Sequence, residues 1–309
     1  MPRALLVAAA AAVISAADDH MTWSQASCVL KGRKLAYFGD SQSRFCYYGL
    51  NAFLGTGALR SREFSDADDG NLGDGPGSDD YDGVESWNAN GLLRPQAAHR
   101  MHAWATFDDF RTDYWFIQGV WWDEQDETAV GRDGFAIRDV VRNDTTLADV
   151  ARTLDADYVV YNMGWWQLLD GFTDYKCGRG AASRGRDDRS RDPGTAANLC
   201  RRDWSDACEA WYAATLEAVV DGLLDAPGRL GVYRTSSCCG KEIDDVRDAW
   251  RPSLERQNAA AARVMGDRGV PVVDVWSLYG ADDLDAHTFD GLHANVAMCH
   301  TWNTMVFRA

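Results

Sequence analysis

Short apolar segments alternate with helical patterns along most of this chain. Five of these segments are rich in aromatic and β-branched residues, which favour strands. Because each parallel connection crosses over the sheet through a helix, the alternation predicts a mostly parallel sheet covered on both faces. The strands are expected at residues 34–38, 113–120, 157–161, 230–234 and 270–275.

The segments between and after these strands carry the spacing of amphipathic helices. The expected fold class is therefore α/β, with three α/β/α layers around a central five-stranded sheet. A chain of 309 residues is long enough to bury one such core. The helices are expected at residues 41–54, 145–154, 204–224, 253–268 and 294–307.

Polar residues follow several of the predicted strands directly. Ser41, within Gly39-Asp40-Ser41-Gln42, follows the first strand, Asn162 follows the third, and residues 235–237 follow the fourth. Asp290 and His293 follow the fifth strand after a loop. The carboxyl ends of parallel strands share one edge of a sheet, where ligands bind. We therefore expect these side chains to meet there within one domain, although they lie far apart in sequence.

Ser41, His293 and Asp290 have the residue types of a serine nucleophile, its general base and the group that orients the base. The spacing Asp-x-x-His lets one tight turn direct the carboxylate to one imidazole nitrogen, leaving the other to face Ser41. The alternatives are structural. In that case Asp40 or Ser41 only starts the next helix as its N-cap, His293 is a packed histidine, and Asp290 is a turn residue before Gly291.

Asn162 and Arg44 are further candidates near the predicted nucleophile. Asn162 is the expected oxyanion donor, together with the backbone N–H of Ser41 or Gln42. Its alternative is a strand-end asparagine that only turns the chain. Arg44 lies one helical turn after Ser41, where it holds the Ser41 loop, binds substrate, or belongs to a solvated helix face.

Two tryptophan pairs follow strands at the same predicted edge. Trp165-Trp166 follows the third strand, and Trp121-Trp122 follows the second. Flat rings in these places are suited to stacking on sugar faces, so Trp165 and Trp166 are predicted to bind substrate. Plain core packing is the alternative.

The N-terminus and the charge indicate where the protein works. Residues 1–17 have the positive start, short apolar stretch and small-residue cleavage site of a signal peptide. They predict the secretory pathway, secreted or in the Golgi lumen, with no other membrane insertion, and an uncleaved anchor is the alternative for this segment. A net charge of −16 argues against nucleic acid or anionic membranes as partners.

The cysteines, the glycosylation sequon and two insertions fit this secretory interpretation. Eight cysteines in an oxidising compartment predict disulfides, with the pairing left open, and Asn143 begins a glycosylation sequon. Residues 18–309 are expected to form one catalytic domain. Segments 56–107 and 172–202 are predicted insertions on the substrate side, although a floppy surface segment is an alternative for the Gly/Asp-rich part of the first.

Several of these segments, in this order, resemble known motifs. Residues 39–44 resemble the first block of SGNH/GDSL hydrolases, and more closely the GDSxxR form of the PC-esterase and trichome-birefringence-like families of polysaccharide O-acetyltransferases. Residues 160–166 resemble the asparagine block of those families, and residues 233–237 their arginine-containing strand end. Residues 290–293 match their Asp-x-x-His block, and residues 301–303 are similar to the Trp-Asn that follows in plant members.

The resemblance implies an SGNH-hydrolase-like, flavodoxin-like fold and serine-dependent O-acyl ester chemistry on carbohydrate. The expected enzyme is an O-acetyltransferase or acetylesterase that works through an acyl-enzyme, with a glycan substrate, an acyl donor and no metal or organic cofactor. The plant families place cysteines where Gly291 and Asn295 stand here. Two alternatives remain open, a lipase-like GDSL esterase and a non-catalytic glycan-binding protein on the same scaffold.

Overall fold

The computed structural model describes eight ranges of the chain, which form one α/β arrangement. These are residues 20–64, 83–86, 101–116, 155–162, 206–237, 244–278, 284–289 and 293–309. The strands are β1 (Lys34–Gly39), β2 (Gly83–Ser86), β3 (Met101–Thr106), β4 (Arg111–Phe116), β5 (Tyr158–Tyr161), β6 (Leu230–Arg234) and β7 (Val272–Val273).

In the described residues these strands form one sheet of seven, in the order β2-β3-β4-β1-β5-β6-β7. The five strands β4, β1, β5, β6 and β7, which are neighbours in this order, pair in parallel. Strand β3 is antiparallel to both β2 and β4. The five predicted strands, numbered along the chain, take the order 2-1-3-4-5 of flavodoxin-like folds. The predicted α/β fold class is therefore confirmed.

The described helices lie on both faces of this sheet. They are α1 (Trp23–Leu30), α2 (Ser41–Thr56), α3 (Asp206–Leu224), α4 (Asp244–Asp267) and α5 (Val296–Arg308), with a 3₁₀ turn at Leu284–His287 before α5. None of these helices combines the length and the apolar character needed to cross a bilayer.

Hydrogen bonds from tyrosines of the sheet show which helices cover which face. Tyr37 of β1 donates to Asn303 of α5 over 2.9 Å. Val232 of β6 aligns with Tyr37 across β5, so Tyr233, the next residue, points to the opposite face. The Tyr233 hydroxyl hydrogen-bonds that of Tyr212 on α3 over 3.2 Å. Helices α3 and α5 therefore cover opposite faces, which gives the three predicted layers.

The prediction of five strands and an irregular 56–107 segment was wrong, because β2 and β3 lie within that segment and join the sheet. The sequence of β3, MHAWAT, contains few strong strand formers. This segment becomes a strand because it pairs with β2 and β4, and such pairing cannot be recognised from the residues of β3 alone.

Most element boundaries differ little from the predicted ones, and the exceptions have physical causes. Helix α4 begins at Asp244 rather than at residue 253 and carries Pro252 in its interior. Proline favours the first turn of a helix, which explains the later predicted start. Strand β7 spans only Val272–Val273 instead of residues 270–275. The predicted helix 145–154 and the predicted signal peptide 1–17 lie outside the described residues.

His300 on α5 makes folding sensitive to acid. It is buried, with ring centroids 4.7 Å from Phe53 and 5.2 Å from His20. Burial, with a smaller contribution from His20, lowers the pKa of His300 from 6.5 to about 4. Between these values the unfolded chain binds more protons than the folded protein, so stability falls as pH drops from 6.5 towards 4.

Replacing this histidine with a residue that does not titrate should weaken that pH dependence. Between pH 7 and pH 4.5, the free energy of unfolding should fall by about 1–2 kcal/mol less in His300→Gln than in the parent, after allowance for solvent screening. Urea unfolding of both proteins at the two pH values measures the difference. Equal losses in the parent and the variant would exclude His300 as the titrating group.

Candidate active site

Ser41 and His293 meet at the carboxyl edge of the sheet. Ser41 Oγ lies 2.7 Å from His293 Nε2, although the two residues are 252 positions apart. Ser41 is the first residue of α2, directly after β1, and His293 lies three residues before α5. The imidazole is buried and the serine is half-buried. Such a contact allows the serine hydroxyl to donate its proton to the imidazole.

The turn between β1 and α2 is held by two sets of hydrogen bonds. Asp40 is the N-cap of α2, and its Oδ1 accepts from the Gln42 N–H over 3.0 Å. The Tyr114 hydroxyl on β4 lies 3.1 Å from the Gly39 carbonyl oxygen and 2.9 Å from that of Asp40. Of the two residues named as alternative N-caps, Asp40 takes that position and Ser41 does not, and the Ser41 hydroxyl contacts His293 instead.

Two phenylalanines hold the imidazole in place. The centroid of the Phe45 ring lies 4.8 Å from that of His293. The Phe289 ring stacks on the imidazole of His293, with 5.8 Å between the ring centroids and an angle of 19° between the ring planes. The sequence interpretation missed both residues. Phe45 had a usable signal, since it lies four residues after Ser41 on the same face of the predicted helix. Phe289 lies outside the described helices and strands and had no such signal.

The loop that carries His293 is closed by its own backbone. The Phe289 N–H donates to the His293 carbonyl over 3.1 Å, and Thr288 forms an antiparallel bridge with Ala294. These bonds bracket residues 290–292. Asp290, the predicted orienting carboxylate, lies outside the described residues, so its role stays a prediction.

Asn162 joins the ends of β5 and β6 to α2 through its side-chain amide. Its Nδ2 donates to the Arg234 carbonyl over 2.8 Å and to Ser236 Oγ over 3.3 Å. Its Oδ1 lies 3.4 Å from Ser43 Oγ and 3.1 Å from Arg234 Nη2. Since both amide hydrogens are used in this arrangement, donation to an oxyanion requires exchange of one bond, and the bond to Ser236 is the longer.

Arg234, the last residue of β6, is a buried cation behind the nucleophile. Its Nη2 donates to Ser43 Oγ over 2.9 Å, and its guanidinium carbon lies 4.7 Å from the centroid of the Trp302 ring. Burial raises the pKa of the nearby Asp40 carboxyl, and the Arg234 charge opposes that shift. Arg234 thus links α2, β5 and α5, a role that the sequence interpretation did not assign to it.

The loop after β6 is fixed from two sides. Ser237 Oγ donates to Gln42 Oε1 over 3.0 Å, which joins this loop to the start of α2. Asn258 on α4 accepts from the Ser236 N–H and donates to the Ser236 carbonyl, both over 2.9 Å. The convergence of residues 235–237 with Ser41 and Asn162 was predicted from their strand-end positions, whereas Asn258 was not singled out.

The remaining predicted substrate residues have different outcomes. Arg44 is buried and lies 5.3 Å from the centroid of the Phe45 ring, so the alternative of a solvated helix face is wrong. Its binding to substrate stays a prediction. Trp165 and Trp166 lie outside the described residues. Within the part of the chain that the structure describes, no group of three or more His, Cys, Asp or Glu side chains is placed to hold a metal ion.

The close approach of Gly39 to α2 makes this position intolerant of a side chain. A Cβ at Gly39 would lie 2.2 Å from Ser43 Oγ, 2.6 Å from Ser43 Cβ and 3.1 Å from the Asn162 carbonyl oxygen. The start of α2 would have to shift, so we expect Gly39→Ala to lower the free energy of unfolding by about 1–3 kcal/mol. The same shift would move Ser41 Oγ away from His293 Nε2.

Gly55, which lies within α2, provides the control. Among the residues that the structure describes, a Cβ at Gly55 meets only Phe107 Cε1, at 3.8 Å, which is an ordinary contact. Gly55→Ala should therefore change the free energy of unfolding by about 1 kcal/mol or less. Urea unfolding measures both variants. Indistinguishable results for the two substitutions would show that the close approach of Gly39 has no consequence.

Comparison with known proteins gives matches among solved structures only. No family model and no curated protein matches the sequence. The chain is similar to an inhibitor-bound aryl esterase from M. smegmatis (13% identity, 89% of this chain and 97% of that chain, TM-score 0.39). It is also similar to Est24, a carbohydrate acetylesterase from Sinorhizobium meliloti (12% identity, 89% of this chain and 97% of that chain, TM-score 0.38). A further match is Axe2, an acetylxylan esterase from Geobacillus stearothermophilus (15% identity, 90% of this chain and 94% of that chain, TM-score 0.38). Similarity at this level assigns neither activity nor substrate to this chain.

Proposed function

We propose that this protein is an SGNH-type serine enzyme that cleaves or transfers O-acyl groups of carbohydrates. The observation that carries the proposal is the 2.7 Å contact between Ser41 Oγ and His293 Nε2 at the carboxyl edge of the sheet. A serine in contact with an imidazole has the base it needs to become a nucleophile. The site lies where α/β sheets bind their ligands.

In the proposed reaction, His293 Nε2 takes the proton of Ser41 as Oγ attacks the ester carbonyl carbon. The tetrahedral intermediate then collapses to an acyl-enzyme, and the protonated imidazole gives its proton to the leaving sugar oxygen. Water or a sugar hydroxyl resolves the acyl-enzyme by the reverse steps, which gives hydrolysis or transfer. Asp290 is proposed to hold the imidazole through Nδ1, as its spacing predicts.

The start of α2 is suited to stabilising the negative charge of the intermediate. Ser41 is at the N-terminus of a 16-residue helix, where the backbone N–H groups carry partial positive charge. Of the two predicted backbone donors, the Gln42 N–H already donates to Asp40 Oδ1. The Ser41 N–H is therefore the favoured oxyanion donor, with Asn162 joining if it exchanges its bond to Ser236.

The carbohydrate part of the proposal is supported by the sequence motifs. The blocks around Ser41, Asn162 and His293 resemble those of polysaccharide O-acetyltransferases. Trp165-Trp166 begins four residues after the end of β5 in the sequence, and its rings are proposed to stack on sugar faces beside the acyl group. An O-acetylated glycan is accordingly the proposed substrate or product.

Active-site labelling combined with a choice of esters tests the proposal. A fluorophosphonate probe should modify the protein, and peptide mapping should place the adduct on Ser41. Short acyl esters, such as naphthyl acetate and acetylated polysaccharides, should be cleaved, and a glycan acceptor should reveal any transfer. A preference for long-chain nitrophenyl esters would favour a lipase-like esterase. Glycan binding without labelling or turnover would favour a non-catalytic binding protein.

A further inference from the structure

Two cysteine sulfurs come together behind the proposed active site. Cys46 Sγ on α2 lies 2.8 Å from Cys299 Sγ on α5, and both side chains are buried. Non-bonded carbon atoms are optimally separated at about 3.5–4.0 Å, and sulfur is larger than carbon. The two sulfurs are thus closer than a non-bonded contact favours, and a small adjustment brings them to the bonding distance of about 2.05 Å.

The positions of the two cysteines make a bond between them consequential. Cys46 lies five residues after Ser41 on α2, and Cys299 lies six residues after His293. A covalent link would join the helix that begins with Ser41 to the helix that follows His293. It would also close a loop of more than 250 residues between them, and long loops give the largest entropic stabilisation in the chain-entropy account.

The surroundings of the pair favour thiol chemistry at one sulfur. Arg234 Nη1 lies 3.4 Å from Cys46 Sγ. Burial alone would raise the pKa of the Cys46 thiol, but the hydrogen bond with Cys299 and the Arg234 charge outweigh burial and lower it. The pKa of Cys299 is raised well above its usual value, chiefly by burial. In the folded arrangement Cys46 is therefore the better thiolate of the two.

We propose that Cys46 and Cys299 are joined by a disulfide in the mature protein. The thiolate of one of the two cysteines attacks an incoming disulfide, of a thiol oxidoreductase or of glutathione, and releases one of its sulfurs as a thiol. The other cysteine, deprotonated, then attacks the sulfur of the first in this mixed disulfide and releases the second thiol. The two cysteines together lose two electrons and two protons, and the incoming disulfide is reduced to two thiols.

The burial of the pair sets when the bond forms and how it responds to reductant. Neither sulfur is exposed in the folded protein, so exchange takes place before α2 and α5 finish packing. For the same reason, the folded protein should resist mild reductant, and the bond should become reducible once urea unfolds the chain. The exposed Cys28 is the matched control for reactivity, because alkylating reagents reach it in the folded state.

Peptide mapping tests the bond directly. The full chain is produced by secretion, unfolded in urea, alkylated with N-ethylmaleimide without reductant, digested and analysed by mass spectrometry. The expected result is one linked peptide pair that contains Cys46 and Cys299, which disappears when reductant is added before alkylation. Alkylation of both residues in the unreduced sample, or linkage of either one to a different cysteine, would overturn the proposal.

Thermal unfolding separates the bond from the packing of the side chains. We expect Cys46→Ala/Cys299→Ala to melt about 5–15 °C below the parent, while Cys28→Ala melts as the parent does. Pre-reduction in urea followed by refolding and blocking of the thiols should lower the Tm of the parent more than that of the double variant. An equal decrease in both proteins would show that no bond between these two residues stabilises the fold.

Discussion

Replacing Ser41 with alanine should lower kcat for ester hydrolysis roughly 10⁴–10⁶-fold. The substitution removes the oxygen that lies 2.7 Å from His293 Nε2, so no acyl-enzyme can form. His293→Ala should cost a similar factor, and the double variant should be little worse than either single one, because the two groups act as a unit. Steady-state hydrolysis of naphthyl acetate measures all three variants.

The fold should survive the loss of Ser41, which separates catalysis from stability. Asp40 rather than Ser41 caps α2, so the Tm of Ser41→Ala should stay within a few degrees of that of the parent. Ser24→Ala, which changes a serine on the surface of α1, is the matched control and should keep full activity. Activity retained in Ser41→Ala would mean that another group is the nucleophile.

Replacing Arg234 with alanine should have the largest effect on stability, about 3–5 kcal/mol of the free energy of unfolding. The guanidinium is buried, donates to Ser43 and Asn162, and lies over the Trp302 ring. Its removal leaves a cavity and buried acceptors without their donor. Activity should fall as well, because Ser43 and Asn162 hold the start of α2.

Two further arginine variants show whether geometry or charge is responsible. Arg234→Lys keeps the charge but cannot donate in the same planar fork, so it should recover only part of the lost stability. Arg256→Ala removes a half-exposed arginine that pairs with Asp206 and Glu209, and it should cost no more than about 1 kcal/mol. Urea unfolding compares the three, and an Arg234→Ala loss no larger than that of Arg256→Ala would contradict the argument.

The sequence predicted the parallel part of the sheet because its elements carry local patterns. The strand over residues 230–234 was predicted with the observed bounds, and the start of α2 at Ser41 was predicted as well. The antiparallel edge was not predicted, since β3 depends on pairing with β2 and β4 rather than on its own residues. The start of α4 was predicted too late because of Pro252. Proline prefers the first turn of a helix, and here the rest of the helix overrides that local preference.

Within the candidate site, the residue types were predictable and their partners were not. The rule that parallel strands end at one edge was enough to bring together Ser41, Asn162 and residues 235–237. The same rule does not give the direction of a side chain. Asn162 was predicted as an oxyanion donor from its residue type, whereas its amide donates to Arg234 and Ser236.

The sequence by itself determined the strand–helix alternation, and with it the edge at which Ser41 and His293 meet. It could do so because hydrophobic periodicity and strand ends depend on residues that are close together in the sequence. Tertiary structure alone decided the 2.7 Å separation of these two side chains, the rings that hold the imidazole, and the Cys46–Cys299 contact. Those features join residues more than 200 positions apart in most cases, and packing between α2, α5 and the sheet fixes them only after the chain has folded.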